Sequence, residues 1–188
     1  YFPAVVAAWK IKDESFLKDS NFVQNLKLRV GWGKTGQQNI TGSVGYFPSS
    51  PLFQIGNVNS QYLPGVNTYS ARAFNPNITW EKTNNYNLGL DFELFKNGIL
   101  SGAFDVYKRK TNDLLAVVPV PPGQVLSSTF IDNIGSIDSK GFEANLDVKV
   151  IQSEDLNLNI GGNIAYNYSE VSDLQGISSV QASESGLP

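Results

Sequence analysis

The sequence predicts an all-β fold, an antiparallel meander of long amphipathic strands, and two observations support this prediction. First, apolar and polar residues alternate over long stretches, for example over residues 88–94 and 142–148. Successive side chains of a strand point to opposite faces, so each stretch has one apolar face and one polar face. Second, the connections between these stretches alternate between short and long. Each strand is therefore expected to separate two different environments.

Six strands are predicted, at residues 3–11, 22–32, 83–95, 99–109, 138–151 and 154–170. The alternation is clearest in the last strand, where every even position from 156 to 168 except Gly162 is aliphatic or aromatic. Ordinary strands have about 5–6 residues, whereas a tilted strand that crosses a membrane needs about 9–11. The predicted strands match or exceed the second length.

The short connections are predicted at residues 12–21, 97–98 and 152–155, and the long ones at 33–82, at 110–137 and from 171 onward. Asn97-Gly98 predicts a type I′ hairpin turn, in which both central residues need a positive φ. Asp13 is expected to begin a single helical turn. Loops beyond about 12–15 residues are uncommon unless they are functional. Tight turns that alternate with large loops are typical of a transmembrane β-barrel in the cell outer membrane, which has short periplasmic turns and long extracellular loops.

A soluble β-sandwich that binds carbohydrate is the alternative, although its strands would be shorter and its short and long loops would alternate less regularly. An enzyme that uses Asp91 and Glu93 as an acid–base pair is the third hypothesis, and solvated carboxylates on a strand face are far more common.

Composition narrows the function further. The 188 residues include no Cys, no His and no Met, and the net charge is −3. We therefore expect no thiol or imidazole catalysis, no enzyme, no metal and no cofactor. The charge shows no basic patch, so nucleic acid is not an expected partner. Because residue 1 is not Met and no signal peptide is visible, we expect an internal segment of a longer protein.

Aromatic residues supply the candidate binding positions. Tyr46, Phe47, Tyr62 and Tyr69 lie in the first long loop among Gly, Ser and Asn. Flat aromatic faces pack against sugar rings while nearby amides bind hydroxyl groups, so these four residues are candidate substrate contacts. The alternative is that they pack the loops onto each other. Other aromatic residues lie near strand ends and could form interfacial girdles or a core: Trp9, Trp80, Phe95, Tyr107, Phe142, Tyr166 and Tyr168.

Five segments resemble a known family when they are read in order. They are residues 1–11 (YFPAVVAAWKI), 26–38 (LKLRVGWGKTGQQ), 75–83 (NPNITWEKT), 87–115 (NLGLDFELFKNGILSGAFDVYKRKTNDLL) and 133–143 (NIGSIDSKGFE). As a set, over roughly residues 1–174, they are similar to the barrel of the SusC/RagA-type TonB-dependent transporters of Bacteroidetes.

The resemblance implies the late part of a barrel of about 22 strands with a plugged lumen. It also implies import of oligosaccharide or peptide substrates, energy from TonB, a SusD-like surface lipoprotein as partner, and outer-membrane lipid around the wall. The segment is expected to lack the plug domain and the TonB box, so TonB would act through another part of the protein. The resemblance assigns no substrate contact to an individual residue.

Overall fold

The computed structural model describes residues 1–37, 40, 45–56, 61–120 and 129–173, and the backbone of residues 181–182. The strands are β1 Ala4–Lys10, β2 Val23–Gly36, β3 Phe53–Ile55, β4 Gln61–Leu63, β5 Val66–Asn67, β6 Tyr69–Ala71, β7 Lys82–Leu94, β8 Leu100–Asn112, β9 Leu115–Pro119, β10 Thr129–Asn133, β11 Ser136–Gln152, β12 Asn157–Asp173 and β13 Gln181–Ala182. Six of them form one antiparallel sheet in the order β1-β2-β7-β8-β11-β12. The predicted all-β antiparallel fold is confirmed.

The chain divides into two compact units. The first consists of Tyr1–Thr35, Thr83–Lys110 and Asp138–Glu170, and it holds most of the six-stranded sheet. The second consists of Gly36–Lys82, Thr111–Ile137 and Val171–Pro188, and it holds the shorter strands.

Strand β2 is longer than predicted, because it runs to Gly36 and not to residue 32. Gly33 pairs with Ala4 of β1, and the Lys34 amide donates a hydrogen bond to the Pro3 carbonyl at 2.9 Å. Gly33, the first residue of the predicted loop 33–82, therefore continues the ladder between β1 and β2. Strand β11 begins earlier than predicted, at Ser136, and β12 ends later than predicted, at Asp173. The part of the third long connection at residues 174–180 and 183–188 lies outside the described residues.

The connection between β1 and β2 is ordered by a lysine. A 3₁₀ turn spans Ile11–Asp13, so Asp13 ends the turn and the prediction that it begins one is wrong. The Lys12 ammonium donates to the carbonyls of Leu17, Lys18 and Ser20 at 3.0, 3.0 and 2.8 Å. One charged donor satisfies three carbonyls, which explains why this polar stretch folds back tightly.

The connection between β7 and β8 keeps the predicted backbone but not the predicted length. Asn97 and Gly98 have φ values of 63° and 61°, as the Asn-Gly pair predicts. However, β7 ends at Leu94 and β8 begins at Leu100, so the connection spans the five residues between them and a two-residue turn is wrong. The ring of Phe95 packs edge-on against Phe22 at 4.9 Å and closes this end of the sheet.

The two faces of the six-stranded sheet differ in the way that the alternation predicts. Phe104 on β8, Phe142 on β11 and Tyr166 on β12 form an aromatic row, with ring centroids 6.2 and 5.9 Å apart. We call this face the apolar wall. It consists of the even-numbered residues of the long strands together with Val5, Ala7 and Trp9 of β1, which pair with Trp32, Val30 and Leu28 of β2. The opposite face, which we call the polar wall, carries the odd-numbered residues of the long strands.

Tyr107 belongs to the polar wall, so the expectation that it joins an aromatic girdle is wrong. Its hydroxyl lies over Gly141 of β11 and donates a hydrogen bond to Oδ1 of Asn167 on β12. A Cβ atom at Gly141 would lie 2.6 Å from this hydroxyl and 2.8 Å from the Asn167 side chain. Position 141 therefore needs glycine because the Tyr166 carbonyl of β12 and the Tyr107 side chain both lie where a Cβ atom would be.

We expect Gly141→Val to weaken the pairing of β11 with β12 strongly. The added methyl groups would collide with Tyr107 and with the backbone of β12, and overpacking of this kind costs about 1–3 kcal/mol or more. The matched control is Gly162→Val, since a Cβ atom there meets nothing within 4 Å. Heat-modifiable migration of the full-length protein should be reduced only in Gly141→Val. Equal loss in both variants would show that the contacts at position 141 do not decide the effect.

Short strands organise the second unit. Strands β3 and β6 pair, as do β4 and β5, within the predicted loop 33–82, and β9 pairs with β10 and β13 around the predicted loop 110–137. Neither loop is irregular throughout, since both form local ladders that bond their own backbone groups. The buried side chains of the described residues lie here: Leu115, Ala116, Ile134 and Ser136.

Within the described part of the first unit the six-stranded sheet stands alone, and the apolar wall is exposed. Ile160 and Ile164, for example, are 57% and 61% exposed. A sandwich would cover this wall with a second sheet of the same unit, and the described residues form none there. No helix among the described residues is long and apolar enough to cross a membrane.

Candidate functional site

The polar wall carries an ion-pair cluster across β2, β7 and β8. Arg29 Nε donates to both oxygens of Asp91 at 3.1 and 3.0 Å, and Arg29 Nη2 donates to Asp91 at 2.8 Å and to Asp105 at 3.0 Å. Lys27 Nζ lies 3.8 Å from the same Asp91 carboxylate. Arg29 can reach both neighbours because Gly89 has no side chain beneath the guanidinium. We call these residues the Arg29 cluster.

The two carboxylates of the Arg29 cluster are ion-pair partners of the same arginine. Asp91 and Asp105 are both partners of one guanidinium, which contacts both oxygens of Asp91 and one oxygen of Asp105. The Glu93 carboxylate lies near Gly98, since its Oε2 would be 3.7 Å from a Cβ atom there, and no hydrogen bond among the described residues joins Glu93 to Asp91. The geometry therefore does not favour the acid–base pair considered from the sequence. Nor is any group of three acidic residues among the described residues placed to hold a metal ion.

Arg29→Gln should destabilise the sheet by about 2 kcal/mol. Hydrogen bonds to charged groups contribute about 1.5–3 kcal/mol, and the substitution leaves two carboxylates close together and without their shared cation. Lys27→Gln is the control, because a single ion pair near the surface contributes about 0–1 kcal/mol. Urea unfolding of the full-length protein, followed by tryptophan fluorescence, measures both variants. Identical unfolding midpoints would show that the cluster does not stabilise the wall.

A shallow depression lies on β8, β11 and β12. Its volume is about 440 Å³, and it is lined by Ala103, Asp105, Glu143, Ala144, Asn145, Asn163, Ile164 and Ala165. The amides and carboxylates among these residues offer donors and acceptors above small side chains, and Asn145 Oδ1 accepts a hydrogen bond from the Ala103 amide at 2.5 Å. The depression is therefore a candidate contact for hydroxyl or amide groups.

The second unit presents a β-hairpin arm, which we define as residues 52–72. Its base closes where the Arg72 amide donates to the Leu52 carbonyl at 2.9 Å. Strands β3 and β6 form the stem, with Ile55 paired to Tyr69, and β4 and β5 lie nearer the tip. Residues 57–60 lie outside the described residues. Several of the arm's apolar side chains are exposed: Phe53, Ile55, Tyr62, Leu63, Val66 and Tyr69.

The four predicted contact residues lie in two neighbouring segments of the second unit. Tyr62 lies on β4 and Tyr69 on β6, both in the hairpin arm. Tyr46 and Phe47 precede the arm, next to a turn in which the Ser50 amide donates to the Phe47 carbonyl at 3.3 Å. All four side chains are exposed, and no ring contact joins them among the described residues.

A second polar cluster, which we call the Asn133 clasp, ties together three loop segments of the second unit. Asn133 Oδ1 accepts from the Thr79 amide at 2.7 Å, while Nδ2 donates to the Thr79 carbonyl at 2.7 Å and to the Asp113 carbonyl at 2.8 Å. The side-chain amide thus bonds both backbone groups of Thr79, as a neighbouring strand would. The clasp holds the start of β7 against β9 and β10.

Further contacts surround the Asn133 clasp. Asn75 Nδ2 donates to Asp132 Oδ1 at 2.6 Å, and Lys82 Nζ donates to Asp113 Oδ2 at 2.8 Å. The Leu115 amide donates to Glu81 Oε1 at 3.0 Å. These side chains are half-buried, and the network gives their polar groups partners beside the small core of the unit.

A pocket of about 520 Å³ opens beside the clasp, within the usual size range for ligand pockets of about 300–1,000 Å³. It is lined by Phe74, Asn75, Pro76, Asn77, Thr79, Lys82, Asp113, Phe130, Asp132 and Asn133. Amides, carboxylates and two phenyl rings suit a ligand that carries hydroxyl or amide groups. We call it the clasp pocket, and none of the four predicted contact residues lines it.

Sequence reasoning missed this pocket as a site. The available signal was Asn75-Pro76, a dipeptide typical of turns. The structure shows the turn itself, since the Asn77 amide donates to the Asn75 side chain at 2.8 Å. That signal predicts the local bend, but it does not predict which distant segments meet there.

Comparison with known proteins identifies the family of this chain. A family model described as "TonB dependent receptor-like, beta-barrel" matches residues 1–187. The TonB-dependent receptor SusC of Bacteroides thetaiotaomicron is 43% identical over 178 residues, which cover 93% of this chain and 17% of that protein. The TonB-dependent receptor P39 of Formosa agariphila is 34% identical and is matched over 92% of this chain and 16% of its own length.

Solved structures agree with the sequence comparisons. The RagAB peptide importer in the open-open state is 30% identical with a TM-score of 0.77, over 93% of this chain and 18% of that chain. The RagAB peptide transporter is likewise 30% identical with a TM-score of 0.75, over 92% of this chain and 18% of that chain. The chain spans about one sixth of the length of these relatives, which are named as receptors and transporters. With a family match over nearly its whole length and the sheet described above, this chain belongs to the TonB-dependent receptor-like β-barrel family.

Proposed function

We propose that this chain supplies part of the barrel wall and two extracellular loops of a TonB-dependent importer in the outer membrane. One observation carries the proposal: a single sheet of long strands has a continuous exposed apolar wall on one side and a charged, hydrogen-bonded polar wall on the other. Such a sheet suits a boundary between lipid and an aqueous lumen.

The apolar wall supports the membrane side of this proposal. Contiguous exposed apolar patches beyond a few hundred Å² are rare on soluble monomers and mark interaction surfaces. The exposed side chains run along several neighbouring strands: Val5, Val30, Leu88, Phe104, Leu146, Ile160 and Ile164. Lipid acyl chains would cover them without any specific partner.

The polar wall and the loops support the transport side. The wall presents carboxylates and amides to a lumen through which a polar nutrient passes. In the Arg29 cluster the charged groups form ion pairs with one another on this water-filled side. The clasp pocket and the exposed Tyr46, Phe47, Tyr62 and Tyr69 are the positions we propose for first contact with substrate. Oligosaccharides or peptides fit this chemistry, since both combine hydroxyl or amide groups with apolar surface.

We also propose the partners that such an importer needs. A SusD-like surface lipoprotein would cover the long loops, and TonB would transmit energy through a part of the protein other than this segment. This segment has a passive role in that scheme: it provides walls and loops, with no catalytic residue.

The experiment uses the full-length protein in its own cells. Uptake of labelled oligosaccharides and of labelled peptides is compared in wild-type cells and in cells from which the gene is deleted, with and without a protonophore. We expect wild-type cells to take up one of the two nutrient classes in an energy-dependent way, and the deletion to abolish this uptake. We also expect a heat-modifiable protein in the outer-membrane fraction. Recovery of the protein in the soluble fraction, or unchanged uptake of both nutrient classes, would overturn the proposal.

A further inference from the structure

The structure points to a binding site for an anionic lipid on the outer surface of the sheet. We infer that Lys108 of β8 and Lys140 of β11 together bind the phosphate headgroup of an anionic lipid in the outer leaflet. This inference rests on the proposed function, since it needs the apolar wall to face a membrane.

The register of β8 and β11 brings the two lysines together. Near one end of the pair the Lys149 amide donates to the Ile99 carbonyl at 2.8 Å, and near the other Lys110 Nζ lies 3.9 Å from Asp138 Oδ2. Two residues back from Lys110 along β8 is Lys108, and two residues forward from Asp138 along β11 is Lys140. The same register therefore sets Lys108 opposite Lys140 on the apolar wall.

Such a pair is unfavourable unless something compensates for it. Directly opposed residues have Cβ atoms about 4.5–5.5 Å apart, and like charges at that separation destabilise a sheet. Among the described residues no carboxylate lies within 4.0 Å of either ammonium group. Two acidic residues lie further out on the same wall, but Asp138 is near Lys110, and Glu170 accepts a hydrogen bond from the Tyr168 hydroxyl at 2.9 Å.

Both lysines are exposed and lie at the border of the apolar wall. On β8 the wall is made of Leu100, Gly102, Phe104 and Val106 before Lys108, and on β11 Phe142, Ala144, Leu146 and Val148 follow Lys140. The Lys140 ammonium lies 5.4 Å from the centroid of the Tyr168 ring. Tyrosine and lysine beside an apolar band are typical of the headgroup level of a membrane.

The direction of the strands assigns the leaflet. Strand β8 leaves the short connection at Leu100 and reaches Lys108 shortly before the long connection that follows Asn112. In the proposed barrel the long connections are extracellular, so the two lysines lie in the outer leaflet. An ammonium pair there matches a phosphate, whose oxygens accept several charged hydrogen bonds at once.

The test uses the purified full-length transporter in a neutral detergent. Native mass spectrometry measures binding of phosphatidylglycerol, which is anionic, and of phosphatidylcholine, which is zwitterionic. The variants are Lys108→Gln with Lys140→Gln, and the charge-retaining pair Lys108→Arg with Lys140→Arg. The control is Arg109→Gln, because Arg109 lies between them in sequence but on the polar wall, where it donates to Asn85.

We expect the double glutamine variant to bind phosphatidylglycerol about 25-fold more weakly, since each basic residue near an anionic surface contributes on the order of fivefold. The arginine pair and Arg109→Gln should keep the wild-type affinity, and phosphatidylcholine should show no difference. Unchanged phosphatidylglycerol affinity in the double glutamine variant would overturn the site. Displacement of the lipid by inorganic phosphate alone at an equal concentration would overturn its assignment to a lipid.

Heat-modifiable migration and nutrient uptake are measured on the same preparations and strains. If wild-type protein is heat-modifiable and supports uptake while the lipid affinities do not differ, the lipid site fails and the importer stands. If wild-type protein is not heat-modifiable, the proposed function fails, and the lipid site fails with it.

Discussion

Arginine in place of Ile164 should sharply reduce assembly of the barrel, whereas arginine in place of Asn163 should be tolerated. Ile164 lies on the apolar wall near the middle of β12, and Asn163 is its neighbour on the polar wall. A cationic side chain that faces the middle of a bilayer costs about 2–4 kcal/mol, while the same side chain in an aqueous lumen keeps its water. The two variants have the same charge, the same strand and nearly the same depth.

Assembly is followed by heat-modifiable migration of the full-length protein in outer-membrane fractions, with the amount of protein normalised by immunoblot. The expected result is little folded barrel for Ile164→Arg and near wild-type amounts for Asn163→Arg. If both variants assemble equally well, the wall that carries Ile164 does not face lipid, and the membrane orientation of the whole sheet would be wrong.

Removal of the hairpin arm should impair uptake while the barrel stays inserted. The arm closes on itself, since Arg72 and Leu52 share a hydrogen bond and β3 pairs with β6 along its stem. Residues 53–71 can therefore be replaced by a short Gly-Ser link without separating the chain ends at Leu52 and Arg72. The deletion removes the exposed Tyr62 and Tyr69 and leaves the Asn133 clasp in place.

Uptake of the transported nutrient is compared in cells that carry the arm deletion and in cells that carry full-length protein, at equal outer-membrane amounts. We expect a loss of at least severalfold for the deletion. A second strain, which keeps the arm and carries Asn133→Ala as its only change, separates the roles of arm and clasp. Normal uptake without the arm would show that its aromatic residues cover the loops and do not contact substrate.

The alternation of residue types was sufficient to predict the sheet, because successive side chains of a strand point to opposite faces. A residue such as Leu90 differs from Asp91 in the environment it needs, and only an extended strand with two unlike faces places both correctly. Glycines limited the accuracy at strand ends. Gly33 was the first residue of the predicted loop 33–82, although a small residue is compatible with a ladder against Ala4.

The Asn133 clasp could not be predicted in the same way. Asn133 bonds to Thr79 and Asp113, which are 54 and 20 residues away in sequence. Local patterns report on neighbours in the chain, whereas this contact depends on how two long loops fold. The aromatic residues proposed from the first loop were chosen by type alone, so their division between the hairpin arm and the preceding turn was not foreseeable.

The five-residue connection between β7 and β8 restricts how this part of the chain can change in length. Pairing across it joins even positions to even positions, as the contact of Phe92 with Gly102 shows. If an added residue entered the ladder and not the turn, the register would slip by one, and Leu90 would then share a face with Asp105 on the polar wall. Length variation is therefore expected to be confined to residues 95–99, where a hairpin loop can change its length while Phe92 stays beside Gly102.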